Sequence, residues 1–480
     1  MLLSFLLTAP LSVMAQSNPR TSAADLPAAP LPSSTSLLAA ALVSPGSSRT
    51  QTATTNQQQP LVDPSAATIA ITLTDAERLA LENNPRITDG QLLALAAGQV
   101  TRQTRSGELP QISAAITAEK AEDGSRIGAD GLTDSRLYTH AGTGGSLSQL
   151  ITDFGHTRNL VATSKLRQKA QDQSALATEQ DVLLATNQAF YRLLNAQSLL
   201  DVAKATVAAR GNVKSLISAL TKSALKSDLD LNIASADLSQ SQLLELDAEN
   251  GVASASAALA AVLAAPADTL YRAVEDPEDT QPPPPPSPDS SPSINASAQA
   301  HRPDLQALRF NAEADQKFAT AQQLQHLPTI SALAIGGISP ISPDGIFVPH
   351  WYAAGGVNLS LPLFTGFRID AQAQETRLRE KAAEKQAQDL SDDIARDVRI
   401  AVLNAQTAFR RIAVADQFRN QTAQALALAQ TRYKLGLSSI VELSQAQLQS
   451  TQAAVAAVNA RYDYLLSLRS LDYARGQLAP

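Results

Sequence analysis

The sequence predicts a mostly α-helical protein with a small membrane-type β-sheet, built from two copies of one unit. Three observations carry this reading. Two long stretches, about 155–222 and 367–434, are helical in period and free of proline. Four short segments alternate apolar and polar residues. The motifs that flank these elements recur in the same order in both halves of the 480-residue chain.

Composition agrees. Hydrophobic residues are 44% but aromatics only 4%, so the apolar content is mostly Ala and Leu, which suits long packed helices rather than a bulky core. There is no cysteine, which excludes disulfides, thiolate metal sites, a Cys nucleophile and a lipid-bearing N-terminal Cys. The formal charge of −7 argues against nucleic acid as a partner. The longest apolar run, within Leu2–Ala15, is too short for a spanning helix. A membrane crossing would therefore use strands.

Taken in order, residues 1–15 resemble a secretory signal, with small residues at Val13 and Ala15 and cleavage expected before Gln16. Residues 16–68 are rich in Pro, Ser, Thr, Ala and Gln without periodicity and read as a flexible tail. The first repeat is expected over 69–264. Thr74, ahead of Asp75 and Glu77, is the expected cap of its first helix. Pro85 opens a second helix, which leads into Leu109-Pro110-Gln111-Ile112-Ser113. The second repeat, 301–480, opens at Arg302-Pro303-Asp304-Leu305 and reaches Leu327-Pro328-Thr329-Ile330-Ser331. Pro85 and Pro110 are 25 residues apart, as are Pro303 and Pro328. Proline fits a helix start and a strand start because its missing N–H is not needed there.

Strands are expected at about 110–120 and 138–151 in the first half and at about 329–337 and 351–363 in the second. In the last, Val357, Leu359, Leu361 and Leu363 alternate with Asn358, Ser360 and Pro362, the pattern of a strand between two solvents. Loops 121–137 and 338–350 carry turn residues. After the strands come the two long helices, each on the order of 100 Å at 1.5 Å per residue. Leu390, Ile394, Val398, Ala401, Ala405, Ala408, Ile412 and Ala415 step by three and four, which is a coiled-coil seam. Each long helix ends at a matched break and returns, at about 228–264 and 439–475. A return helix and the short helix before the strands together span what one long helix spans. Residues 265–300, with Pro282–Pro286, read as an exposed, coreless linker.

Four strands cannot close a barrel, and open edges cannot face lipid. Three chains would supply twelve strands. Val357, Leu359, Leu361 and Leu363 are then expected to face lipid, with Trp351, Tyr352, Phe364 and Phe367 forming interfacial girdles.

The chain resembles the TolC family of outer-membrane efflux proteins. The residues that carry the resemblance are Asn84-Pro85, Arg302-Pro303-Asp304-Leu305, both L-P-x-I-S segments, Asp153-Phe154-Gly155, Pro362-Leu363-Phe364-Thr365-Gly366 and Arg432-Tyr433-Lys434-Leu435-Gly436. They are spread over about 69–480. The resemblance implies a homotrimer with a 12-stranded β-barrel in the outer membrane, standing on a long periplasmic α-helical coiled-coil barrel. It implies docking on a periplasmic adaptor protein and an inner-membrane transporter, as the channel of a tripartite efflux or type I secretion system. It implies no chemistry, since the transporter supplies the energy. The alternative is a structural periplasmic coiled-coil adaptor without a pore, although adaptors lack a second complete copy of the unit.

No catalytic or metal site is expected. H-E-x-x-H, G-x-x-x-x-G-K-[ST] and G-x-S-x-G are absent. Gly142-Thr143-Gly144-Gly145 is half a dinucleotide fingerprint and reads as a crowded strand. His140, His156, His301, His326 and His350 are scattered, without ligand spacing. Asp392-Asp393 beside Arg396 and Arg399 reads as a solvated helix face.

The resemblance also implies a gate at the two breaks, which align with a shift of 212 residues: Ala224 with Gly436, Ser227 with Ser439, Asp230 with Glu442. Asp230 and Glu442 stand where aperture acids are expected, and Gln445 where a second acid often occurs. Tyr433 stands where the family has a tyrosine bonded to the acid at the Asp230 position. Ser438 replaces an arginine that often strengthens the lock. Three copies of an acid in a narrow mouth favour cations. The same acids also suit the first turns of the return helices, whose dipoles they complement.

Overall fold

The computed structural model describes residues 68–120, 126–129, 132–136, 140–223, 225–266, 268–275, 283–285, 291–338 and 351–478. The signal segment, most of the tail, Ala224, Pro282, Pro286, residues 339–350 and part of loop 121–137 lie outside these.

The chain enters through β1 (Ile69–Ile71), α1 (Leu73–Asn83) and α2 (Pro85–Ser106). Thr72, not Thr74, caps α1: its hydroxyl accepts from the Asp75 amide at 3.2 Å, so the helix begins two residues earlier than the acid-rich turn suggests. Asn84 caps α2 by accepting from the Arg86 amide at 3.0 Å, and its Nδ2 donates to the Val262 carbonyl at 2.9 Å. The break at Asn84-Pro85 thus ties the start of one helix to the end of another. Next come β2 (Gln111–Glu119), the short pair β3 (Arg126–Ala129) and β4 (Leu132–Arg136), and β5 (His140–Thr152).

Two helices follow, α3 (His156–Lys222) and α4 (Asp228–Val262), then β6 (Tyr271–Ala273), α5 (Ser291–His301) and α6 (Pro303–Leu324). The chain closes with β7 (Thr329–Ile338), β8 (Trp351–Ser360), α7 (Arg368–Lys434) and α8 (Ile440–Ala474). α3 and α7 both have 67 residues, α4 and α8 both 35, and α2 and α6 both 22. No helix among the described residues is long and apolar enough to cross a membrane.

Both long helices start from two consecutive left-handed residues, Phe154-Gly155 and Gly366-Phe367. A left-handed phenylalanine is strained, and each sits where an extended strand must turn into a rod. The seam read in α7 is its buried face: Ile394, Val398, Ala405, Ala408 and Ala415 are buried, and Leu390, Ala401 and Ile412 are half-buried. Half of the seam is alanine, which lets the helices approach closely there and gain by dispersion.

The main core lies midway along the helices. Phe190 and Tyr191 meet edge-to-face at 5.6 Å among Val182, Leu193, Leu259 and Leu263, with Tyr462 and Leu465 of α8. Inside it, Asn187 Nδ2 donates to Glu77 at 2.6 Å and to the Leu183 carbonyl, so both of its amide hydrogens find acceptors.

Within the stretch expected to be a coreless linker, the described parts pack against the helices. β6 pairs in parallel with β1, Ile69 opposite Tyr271, and buries Tyr271 and Ala273 in the main core. α5 buries Ile294 and Ala298 against Ile394, Val398 and Val402 of α7. Glu275 pairs with Arg461, and the Tyr464 hydroxyl donates to the Pro283 carbonyl. Pro283 is thereby fastened to α8.

Candidate functional site

Two regions hold the residues singled out in the sequence: the four-stranded sheet and the paired turns at the opposite ends of the long helices.

The sheet has the order β2-β5-β7-β8, antiparallel throughout, so each hairpin is adjacent and the two hairpins join through β5 and β7. Register defines its faces, because side chains alternate and directly paired residues share a side. One face carries Ile112, Ile116, Leu147, Ile330, Ile338, Val357, Leu359 and Trp351. The other carries Ser113, Ser146, Ser148, Ser331, Asn358 and Ser360 together with Leu333 and Ile335, and the Ser113 and Ser146 hydroxyls bond across it at 2.7 Å. Val357 and Leu359 are 68% and 64% exposed.

Two expectations change here. β8 ends at Ser360, so Leu361 and Leu363 lie beyond the strand, where Pro362 ends the ladder. Tyr352 does not share a face with Trp351. It lies on the polar side, over Gly144 and Gly337: a Cβ on Gly144 would come within 2.6 Å of its hydroxyl. These glycines leave room for a ring crossing three strands. At the far end of the strands, Phe364 and Phe367 pack edge-to-face at 5.6 Å and are both exposed.

The turns are built alike. Ser227 caps α4 by accepting from the Asp230 amide at 3.2 Å, and Ser439 caps α8 by accepting from the Glu442 amide at 3.3 Å. Both acids therefore sit in the first turn, against the positive end of a helix. A small core closes beneath them: Ile217 and Ala234 from one helix pair, Ala429, Tyr433, Ile440 and Leu443 from the other.

Around this core the two acids differ. Tyr433 is buried, with the Asp230 carboxylate beside its hydroxyl. Burial pushes its phenol up to about 12, and the Asp230 charge adds to the rise. The buried hydroxyl makes no hydrogen bond of ordinary geometry. Lys226 Nζ lies 4.3 Å from the centre of the Tyr433 ring. Glu442 instead pairs with Arg432 of its own chain at 3.6 Å, both groups about half exposed. Gln445 is exposed, and the Ser438 hydroxyl is buried without a partner.

Lys226 and Arg432 were missed as contacts. Arg432 was legible only as part of a motif. Lys226 had a signal, because the shift of 212 residues that aligns the turns sets it opposite Ser438. No group of three or more His, Asp or Glu side chains among the described residues is placed to hold a metal ion.

The model of the outer membrane efflux protein family matches residues 77–265 and again 295–477. The chain belongs to this family. It is an outer-membrane protein of the TolC class. Its relatives include outer membrane protein TolC of Vibrio cholerae, 24% identical over 421 residues, which cover 86% of this chain and 93% of that protein. TolC of Salmonella enteritidis is also 24% identical, over 85% of this chain and 83% of its own length. Among solved structures, the outer membrane protein VceC of Vibrio cholerae matches with a TM-score of 0.70 at 19% identity, over 84% of this chain and 96% of that one. A membrane protein of Pseudomonas aeruginosa matches with a TM-score of 0.73 at 21% identity, over 84% and 90%. Family members of this kind are efflux proteins rather than enzymes.

Proposed function

We propose that three copies of this chain form the passive exit duct of a tripartite efflux or type I secretion system. In this reading residues 69–264 and 301–480 are two structural repeats. Their strands close a 12-stranded barrel in the outer membrane, and their helices continue it as a coiled-coil barrel through the periplasm. The duct docks on a periplasmic adaptor protein and an inner-membrane transporter, which supplies the energy.

The sheet carries this proposal. One face is mostly apolar and exposed, the other carries serines and Asn358 alongside Leu333 and Ile335, and among the described residues β2 and β8 are edges paired on one side only. Such edges are an aggregation hazard in water and are not tolerated in lipid unless a barrel closes them. Pairing β8 of one copy with β2 of the next would close the ring. A soluble adaptor would have no use for the apolar face.

At the other end we assign the aperture to Asp230 and Glu442, with Tyr433 as the closing contact. The Tyr433 hydroxyl stands beside Asp230 without completing a bond, so a small shift of either turn would complete it. Gln445 leaves any second ring uncharged.

Detergent-extracted protein should run as a trimer and give discrete single-channel currents in a planar bilayer. Recovery of the whole chain from the periplasm as a soluble monomer, without detergent, would overturn the channel.

A further inference from the structure

We infer that Lys226 is the latch that holds the two turns of each protomer together; this rests on the gate proposed above and extends it to a residue outside it. The observations are local. Tyr433, on the α7–α8 side, is gripped by the first turn at two places: Asp230 beside its hydroxyl and the Lys226 ammonium 4.3 Å from its ring centre. An ammonium over the face of a ring is held by the ring's negative quadrupole, and the attraction strengthens as water is removed. Here the ring is buried and Lys226 half-buried.

Position matters as much as distance. Lys226 stands opposite Ser438 under the 212-residue shift that superposes the turns, and Ser438 supplies no charge and leaves its own hydroxyl unpartnered. The cation of this turn level therefore comes from the first turn and reaches across to the second. Glu442 has its own cation in Arg432, on its own helix pair. Lys226 of the first helix pair thus reaches Tyr433 of the second and links the two. Separating the turns must lift the ammonium off the ring, so this contact opposes opening.

Single-channel recording on the assembled trimer tests it. Lys226→Met keeps the apolar stem and removes the charge; it should raise the open-to-closed ratio about two- to five-fold per protomer. Lys226→Arg should behave as wild type, because a guanidinium also sits on a ring. The ring, not the hydroxyl, is the partner. Lys226→Met should therefore act in full in a Tyr433→Phe background and have no further effect in a Tyr433→Leu background. Trimer assembly on a native gel is the control for folding.

If Tyr433→Phe and Tyr433→Leu both leave the currents unchanged, the gate reading itself fails and the latch with it. If they open the channel but Lys226→Met does not, the gate stands and the latch is overturned. The latch is also overturned if Lys226→Met has the same effect in the Tyr433→Leu background as in wild type.

Discussion

The two ends of the helices solve opposite problems. At the sheet, all ten residues of β8 are exposed, one face is mostly apolar, and among the described residues each edge strand is paired on one side only. At the turns, Ile217, Tyr433 and Leu443 are sealed within the single chain, between 0% and 2% exposed. In the proposed assembly one end is completed by lipid and further copies. The other is complete and held by a few polar contacts that can be exchanged. Substitutions at the sheet should therefore act on assembly, and substitutions at the turns on the state of an assembled channel.

The largest effect is expected at the sheet. Leu359→Arg places a charge on the apolar face and should cost about 2–4 kcal/mol near the membrane midplane. Ser360→Arg, one residue on, points to the polar face; it should assemble normally and alter conductance. Thermal dissociation of the trimer in lipid vesicles compares the two. Equal tolerance would mean that the assigned register is wrong. A step smaller, Gly337→Ala would drive a methyl into the Thr143 carbonyl and the Tyr352 hydroxyl, an overpacking of about 1–3 kcal/mol. Gly145→Ala meets only the Ser113 carbonyl at 3.6 Å and should assemble like wild type in the same assay.

At the turns the expected change is in open probability. Tyr433→Phe removes the donor to Asp230 that the closed state would use, a charge-assisted bond worth about 1.5–3 kcal/mol. It should raise conductance or antibiotic leak while trimer stability holds. Alkali should mimic it. The folded phenol, at about 12, lies above its ordinary value of 10.0. Its contribution is therefore fully present below pH 10 and is lost as pH rises toward 12. Wild-type currents should increase over that window and those of Tyr433→Phe should not. Equal pH responses would remove Tyr433 from the gate.

How much of this was legible depended on the range of the signal. The strands and rods were, because the alternation from Ile112 to Ala118 and from Val357 on, and the three–four steps of 390–415, are local and repeat. Where β8 stops was not, since Leu361 and Leu363 keep the period after Pro362 has ended the pairing. The β1–β6 pair was invisible for a different reason. It joins Ile69 to Tyr271 through strands of three residues, too short for any period, and its partner is some two hundred positions away. α5 was hidden by the proline-rich composition around it. At the turns, the matched breaks set Ser227 opposite Ser439 and Asp230 opposite Glu442, but the capping by the two serines was not read from them. The contact of Lys226 with Tyr433 was not legible either, because it crosses between halves that the sequence presents only as copies.

The smallest expected effect separates charge from structure at the second turn. Glu442 pairs with Arg432 at 3.6 Å, with both side chains about half in water. Exposed pairs of this kind are worth about 0–1 kcal/mol and weaken with salt. Glu442→Gln should therefore leave assembly and thermal stability almost unchanged. The Ser439 cap still holds the α8 amides, so the helix start survives. What should change is selectivity. In the proposed trimer three carboxylates near one axis would attract cations, and removing them should lower the cation-to-anion permeability ratio, most clearly at low ionic strength. Reversal potentials measured across a salt gradient give that ratio directly. Asp230→Asn is the matched comparison: Asp230 stands beside a buried phenol, so its loss should change gating as well as selectivity. If Glu442→Gln leaves the ratio where it was while Asp230→Asn moves it, the second turn does not line the aperture, and the acid ring belongs to the first turn alone.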